Sequence, residues 1–272
     1  MRWVPPGPAL LFCPADRPER YLKAAAAADV VILDLEDGVN ASDRPAARQA
    51  LIDTPLDPWR TMIRVNPAGT PDHALDLAAL AQTSYQLLML AKSESPEQVE
   101  ALRPRNVVAL CETPKGIVAA GAIAAAENTV ALMWGAEDLL AALGGRSSRR
   151  SDASYRDVAR SARSQVLLAA GALERAAVDA VHLDIADLDG LREEAEDAAA
   201  SGFRATACIH PSQVEVVRAC YAPSAADVAW ATSVLEAAGS NRGVFSLDGQ
   251  MVDAPVLRHA EHILSSVRPV QN

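Results

Sequence analysis

The chain of 272 residues is poor in cysteine and in aromatic residues, and it carries no excess of positive charge. Its four cysteines are scattered and form no Cys-x-x-Cys pair, so neither a zinc site nor a disulfide framework is indicated. The formal net charge of −10 argues against non-specific binding to nucleic acid or to an anionic membrane, because both need a basic face. No apolar run approaches the roughly 18 residues that span a bilayer, and no signal peptide is evident. We therefore expect a soluble cytoplasmic protein with reduced thiols.

Short apolar runs recur along the chain and are separated by amphipathic stretches. Half of the residues are hydrophobic, which is ample for one substantial core. The candidate strands are Ala9–Cys13, Val30–Leu35, Thr61–Val65, Leu87–Leu90, Val107–Cys111, Val130–Trp134, Ala180–Leu183 and Ala205–Ile209. Nearly all of them are continuously apolar, which is typical of strands that are covered on both faces in a parallel sheet.

Helix-start signals lie between these runs. Thr70 and Ser95 each precede a proline and an acidic residue, which predicts an N-cap with proline at the first helical position. Other helices are predicted over Pro18–Ala28, Arg44–Leu51, Pro114–Asn128 and Ser154–Ala176. Eight β-α units favour a (β/α)8 TIM barrel in the α/β class. A doubly wound open sheet is the alternative, but it usually has a glycine-rich phosphate turn after its first strand, and residues 14–18 contain no glycine.

The residues that follow the eighth predicted strand exceed what barrel closure requires. We place the catalytic barrel at 1–221 and a C-terminal helical extension at 222–272. Within the extension the sequence predicts helices over Ser224–Ala238 and Pro255–Ser266, with a loop over residues 246–253 between them. The extension is expected to serve as a lid, as an oligomerisation arm, or as both.

Polar residues follow nearly every predicted strand, where a barrel builds its active site. Glu112 follows one strand and Asp138 the next, with one helix-length stretch between them, so both carboxylates are expected at the same end of adjacent strands. Two hard oxygen donors with room for water and substrate oxygens suit Mg²⁺. The alternative is that both residues cap the helices that follow them. Other residues in such positions are Asp16, Arg17, Asn66, Lys92, Glu94, Glu137, Asp184 and His210.

Arg64 lies at the end of an otherwise apolar strand. Its functional interpretation is a fork for a substrate carboxylate or a developing oxyanion, and the structural alternative is a salt bridge. On the preceding strand, alternation points Asp34, Glu36 and Gly38 the same way. Such a carboxylate cluster either raises the pKa of one of its members or supports a cation site by contacting the residues that bind the cation.

Seven segments in this order resemble the citrate lyase β subunit-like family, within the HpcH/HpaI aldolases, and in particular its stand-alone β-hydroxyacyl-CoA lyases. They are Leu11–Arg20, Val31–Gly38, Ile63–Asn66, Glu112-Thr113, Trp134–Leu139, Cys208–Gln213 and Gly249–Asp253. The chain departs from the family pattern after the fourth strand, where Ala91 precedes Lys92 and proline is usual. No departure removes a residue that matches a metal or catalytic position.

The resemblance implies a TIM barrel with Mg²⁺ on Glu112 and Asp138, and substrate contacts through Arg64 and Glu112. It implies that Asp253 reaches the site from a neighbouring subunit of a homo-oligomer, either a trimer or a hexamer. Lys23, on the first helix, matches a position that some relatives use to contact the coenzyme A phosphates.

The implied activity is Mg²⁺-dependent cleavage of a β-hydroxyacyl-CoA thioester, of the citramalyl-CoA or malyl-CoA type, to acetyl-CoA and a keto acid. The reaction passes through an enolate and is reversible by condensation. Mg²⁺ acidifies the hydroxyl group, Arg64 stabilises the enolate or carbonyl oxygen, and Asp253 exchanges a proton with the thioester α-carbon. The alternatives are a malyl-CoA thioesterase or malate synthase-like enzyme, a carrier-dependent citryl lyase β subunit with oxaloacetate as product, an aldolase of free hydroxy acids, and a non-catalytic barrel.

Overall fold

The computed structural model describes residues 3–240 and 243–266. Eight parallel strands follow one another in chain order and close into a barrel, because the first strand pairs with the eighth. The strands are β1 (Ala9–Pro14), β2 (Val30–Asp34), β3 (Thr61–Val65), β4 (Leu87–Leu90), β5 (Asn106–Cys111), β6 (Thr129–Trp134), β7 (Ala176–Asp179) and β8 (Ala205–Cys208). The predicted (β/α)8 barrel is confirmed.

Helices connect the strands and continue beyond the barrel. They are α1 (Tyr21–Ala27), α2 (Arg44–Asp53), α3 (Pro71–Leu80), α4 (Pro96–Glu100), α5 (Pro114–Ala125), α6 (Ala136–Ala142), α7 (Asp157–Ala172), α8 (Leu188–Ser201), α9 (Pro211–Tyr221), α10 (Ala225–Ser240) and α11 (Ala254–Ser266). The Thr70 hydroxyl accepts the backbone N–H of His73, as the predicted cap requires. None of the helices that the structure describes is both long and apolar enough to cross a membrane.

Alternation along the strands brings charged residues to the mouth of the barrel. Ile32 and Met62 belong to the apolar core cluster, and the residues two positions further on are Asp34 and Arg64. Residues two apart on a strand point to the same side. The buried core therefore gives way to an acid and a base at the C-terminal ends of β2 and β3, which is where TIM barrels place their active sites.

The prediction of the seventh strand is wrong. β7 covers Ala176–Asp179 rather than Ala180–Leu183, and α7 ends at Ala172. The turn between them contains neither glycine nor proline, since Glu174 itself adopts a left-handed backbone with φ of 55°. Because a non-glycine residue in that conformation gives no stop signal, the helical pattern of the sequence continues past the end of α7.

The predicted loop over residues 246–253 is also wrong. Phe245–Leu247 (β9) and Gln250–Val252 (β10) form an antiparallel hairpin. Asp248 and Gly249, the two turn residues, have positive φ values of 51° and 77°. This is the Asp-Gly combination that a tight two-residue hairpin turn requires.

The chain divides into two compact units, Met1–Arg218 and Ala219–Asn272. In the second unit, α10, α11 and the hairpin enclose a small apolar cluster centred on Ala231, Val234, Val252 and Ala260. The limits 1–221 for the catalytic barrel and 222–272 for its extension, and the role of that extension, stay a prediction.

Asp179 at the end of β7 is expected to be a major stabilising residue. It accepts the Trp134 indole N–H at 2.5 Å and pairs with Arg163 at 2.8 Å, in a largely buried position. Asp179→Ala leaves both donors without that partner, so the free energy of unfolding should fall by about 3–5 kcal/mol in urea titrations. Asp197 is the matched control, because it also pairs with Arg163 but is 62% exposed. Asp197→Ala should cost less than about 1 kcal/mol, and equal losses would refute the assignment.

Candidate active site

Arg64 is fixed by a bidentate ion pair. Its Nε and Nη2 donate to the two carboxylate oxygens of Asp34 at 2.6 and 2.5 Å, and its Nη1 lies 3.2 Å from Glu36. Burial by itself lowers the pKa of Arg64, but Asp34 and Glu36 more than reverse this effect and the pKa is raised. The salt bridge anticipated as a structural alternative is therefore present. A guanidinium has five N–H donors, so Arg64 keeps donors for a ligand while Asp34 fixes its orientation.

Asp34 is itself locked in place by the turn that follows β2. The backbone N–H groups of Glu36 and Gly38 donate to its two oxygens at 2.9 and 2.8 Å. A Cβ atom at position 38 would lie 2.4 Å from Asp34 Oδ2, so this close approach requires glycine. The expected strand alternation through Gly38 is wrong, because β2 ends at Asp34 and it is the turn that brings these backbone groups to the Asp34 carboxylate.

Glu112 lies at the centre of the cluster and is almost fully buried, with 3% of its surface exposed. Its Oε1 accepts the backbone N–H of Lys92 at 3.1 Å. Burial raises the pKa of Glu112 to about 8, and the nearby charge of Asp138 contributes to the rise. Such a shift is typical of a carboxylate placed for chemistry or for a cation.

The Glu112 shift predicts that the metal-free protein loses stability as pH rises. The unfolded carboxyl titrates near 4.5 and the folded one near 8, so the folded state holds the proton more tightly between these values. The stabilisation is complete below the lower value and is lost as pH rises through the upper one. Glutamine does not titrate. Between pH of about 5 and 9 in chelator, Glu112→Gln should therefore gain on the order of a few kcal/mol relative to wild type in urea unfolding. A pH-independent difference would contradict the shift.

Asp138 lies in the first turn of α6 and faces the same cluster as Glu112. The Lys92 ammonium lies 3.3 Å from Asp138 Oδ1 and 3.9 Å from Glu112 Oε1, so the two carboxylates already hold a cation between them. The described residues contain no group of three or more His, Cys, Asp or Glu side chains arranged for a metal. The pair fits a hard cation that takes two protein carboxylates and completes its shell with water or substrate oxygens.

The ion pairs of Lys92 include neither Lys23 nor Asp253. Lys23 is exposed in the first turn of α1. Asp253 belongs to the second compact unit, where its Oδ1 accepts the Val256 N–H at 3.2 Å and so caps α11.

Of two further strand-end residues, Asp184 has a different position from that expected, whereas His210 follows β8 as expected. Asp184 is exposed and does not end a strand, because the acidic residue that ends β7 is Asp179. His210 bonds through its ring to the Ser212 hydroxyl at 2.7 Å, at the start of α9.

Lys92 is the residue whose importance the sequence analysis missed. In the sequence it is one of several polar residues that follow a strand, and no role is predicted for it. Its ammonium contacts carboxylates that follow β2, β5 and β6, and these are distant in sequence. One sequence signal could have identified this role. Lys92 is the one lysine among the polar residues predicted at the strand ends, and a group of acidic residues there needs a cation to balance its charge.

Comparison with known proteins agrees with this geometry. The family model described as HpcH/HpaI aldolase/citrate lyase matches residues 9–211. The chain belongs to this family. The resemblance drawn from the seven segments is therefore confirmed.

Individual relatives match nearly the whole chain. A citrate lyase subunit beta-like protein of Mycobacterium tuberculosis is 64% identical over 95% of this chain and 94% of its own length. The mitochondrial citramalyl-CoA lyase of Homo sapiens is 29% identical over 96% of this chain and 85% of its own length. Among solved structures, CitE of Mycobacterium tuberculosis in complex with magnesium, acetoacetate and coenzyme A superposes with a TM-score of 0.92. It is 63% identical and the match covers 96% of this chain and 97% of that one.

Proposed function

We propose that this protein is a Mg²⁺-dependent carbon–carbon lyase that cleaves a β-hydroxyacyl-CoA thioester to acetyl-CoA and a keto acid. The observation that carries the proposal is the meeting of buried Glu112 and partly exposed Asp138 around one cation, within the cluster that also holds Arg64. Two relatives support the same chemistry. One is named a citramalyl-CoA lyase, and the other, CitE, was crystallised with magnesium, acetoacetate and coenzyme A.

Glu112 and Asp138 are the residues that hold Mg²⁺ in this proposal. Mg²⁺ held by these two residues would supply Lewis-acid chemistry that lowers the pKa of a substrate β-hydroxyl group. The protein contributes a rigid ligand, because Glu112 is buried and accepts a backbone N–H. A Cβ at position 135 would lie 2.9 Å from Glu112 Oε2, so Gly135 gives that oxygen its space.

Arg64 stabilises the negative charge that develops on the enolate or carbonyl oxygen as the carbon–carbon bond breaks. The two bonds to Asp34 hold its guanidinium in one orientation, so little reorganisation is needed during the reaction. Phe12 packs against the guanidinium, with Arg64 Cζ 4.8 Å from the ring centroid. Arg64 and Glu112 together form the substrate-binding side of the site.

Asp253 is proposed as the acid that returns a proton to the thioester α-carbon during cleavage, and as the base during condensation. We propose that it acts in trans, from a neighbouring subunit of a trimeric or hexameric homo-oligomer. We further propose that Lys23 contacts the coenzyme A phosphates, since an exposed ammonium is suited to a mobile polyanion.

Product analysis with purified protein tests the function directly. Citramalyl-CoA and malyl-CoA are supplied separately, with Mg²⁺ or with excess chelator, and the products are identified by mass spectrometry. Metal-dependent appearance of acetyl-CoA with pyruvate or glyoxylate is the expected result. Free coenzyme A together with the intact hydroxy acid would instead identify a thioesterase. Failure to cleave either thioester would refute the proposed lyase for these substrates.

A further inference from the structure

The Lys92 ammonium occupies the centre of the acidic cluster. It lies 2.5 Å from Glu36 Oε1, 3.3 Å from Asp37 Oδ2, 3.3 Å from Asp138 Oδ1 and 3.9 Å from Glu112 Oε1. Three different segments of the barrel supply these four carboxylates. Arg64, the other cation of the cluster, is engaged by Asp34 and Glu36. Lys92 therefore pairs directly with both carboxylates of the proposed metal site.

The backbone of Lys92 is held in an unusual conformation that serves this contact. Its φ angle is 49°, a left-handed value that long side chains seldom adopt. Its N–H donates to Glu112 Oε1, so both the main chain and the side chain of Lys92 contact the Glu112 carboxyl group. Strain of this kind persists only where the surrounding structure maintains it, and it is concentrated at functional sites.

We propose that Lys92 fills the cation position between Glu112 and Asp138 in the metal-free protein and that a divalent cation binds by displacing its ammonium group. The inference rests on the metal site proposed above. A divalent ion and an ammonium cannot both lie within about 4 Å of the same two carboxylates without strong mutual repulsion. On displacement, Lys92 retains Glu36 and Asp37 as partners. It is thus a positioning residue that acts through the metal ligands.

This arrangement has two consequences for the site. In the metal-free protein, Lys92 keeps the carboxylates of Glu36, Asp37 and Asp138 from repelling one another, so the site stays assembled. The same ammonium competes with an incoming metal and therefore weakens metal binding. Removing the positive charge should accordingly tighten Mg²⁺ binding, whereas a lysine that merely supports the ligands would have the opposite effect when removed.

Calorimetric titration with Mg²⁺ in the absence of substrate tests the sign of this effect. Lys92→Met keeps the length of the side chain and removes its charge, and its Kd for Mg²⁺ should fall about tenfold. Lys92→Arg retains a positive charge and should not show this gain. Lys115→Met is the matched control, because Lys115 is 69% exposed and pairs with Glu94 instead. Unchanged or weaker Mg²⁺ binding by Lys92→Met would overturn the inference.

A second measurement needs no variant. The rate of reductive methylation at Lys92 Nζ, followed by peptide mass spectrometry, should rise several-fold when Mg²⁺ saturates the wild-type protein, while Lys115 should be unaffected. An unchanged or lower rate at Lys92 would overturn the displacement. If the wild-type protein binds no Mg²⁺ by calorimetry, the proposed metal site itself fails. If it binds Mg²⁺ and Lys92 does not respond, only the role of Lys92 fails.

Discussion

Glu112→Gln is expected to lower thioester cleavage by about 10³-fold and to abolish measurable Mg²⁺ binding. Glutamine has nearly the same shape and can still accept the Lys92 N–H, so the fold should be retained. The change removes the negative charge that pairs with Asp138 to hold the metal. Steady-state kinetics with citramalyl-CoA and calorimetry with Mg²⁺ measure the two losses on the same preparation.

The matched control for this prediction is Glu94→Gln. Glu94 lies in the loop after β4, accepts the Thr113 hydroxyl at 2.9 Å and is the same residue type, but it is outside the group of carboxylates around Lys92. This variant should stay within about threefold of wild type, as expected for a residue that contacts neither metal nor substrate. Wild-type Mg²⁺ binding by Glu112→Gln would remove Glu112 from the ligand set, whatever its effect on turnover.

Asp253→Asn is expected to lower the turnover rate by about 10²–10⁴-fold, while Mg²⁺ binding stays intact. Asparagine keeps the oxygen that caps α11 and is as good an N-cap as aspartate, so the second unit should remain folded. What it loses is the ability to exchange a proton with the α-carbon. Asp248→Asn in the hairpin turn is the control, since asparagine also tolerates the left-handed backbone there. Retained turnover in Asp253→Asn would eliminate the proton-transfer role.

Mixed oligomers can show whether Asp253 acts in trans. Glu112→Gln and Asp253→Asn chains are each expected to be inactive alone. If every site combines Glu112 of one subunit with Asp253 of the next, random mixing in equal amounts should restore about a quarter of wild-type activity. Sites built within one subunit would give no recovery, because every such site contains one of the two substitutions.

Local sequence signals predicted those elements whose chemistry is local. β3 and β4 have the predicted bounds, because each is a short apolar run with polar neighbours. Thr70 caps α3 as expected, whereas Ser95 makes no side-chain cap although α4 begins at the predicted proline. The residue types therefore predicted where both helices start, but the predicted side-chain cap forms only at Thr70.

The errors at β7 and at the hairpin also have physical causes. β7 is the short sequence Ala-Ala-Val-Asp, which has little strand preference of its own and is a strand because its neighbours pair with it. Asp248-Gly249 is a sequence signal for a hairpin turn, but the strands on either side are too short to give a clear alternating pattern.

By itself, the sequence determined the barrel, the family and the order in which Arg64, Glu112 and Asp138 follow their strands, since strand spacing places strand ends on one face. Only the tertiary structure decided how these groups are paired. The bidentate ion pair between Asp34 and Arg64 and the ion pairs of Lys92 connect residues from separate strands and loops. Those contacts depend on barrel closure and on a left-handed backbone at Lys92, which spacing along the chain does not encode. A long, flexible ammonium side chain takes its direction from the carboxylates that surround it after folding.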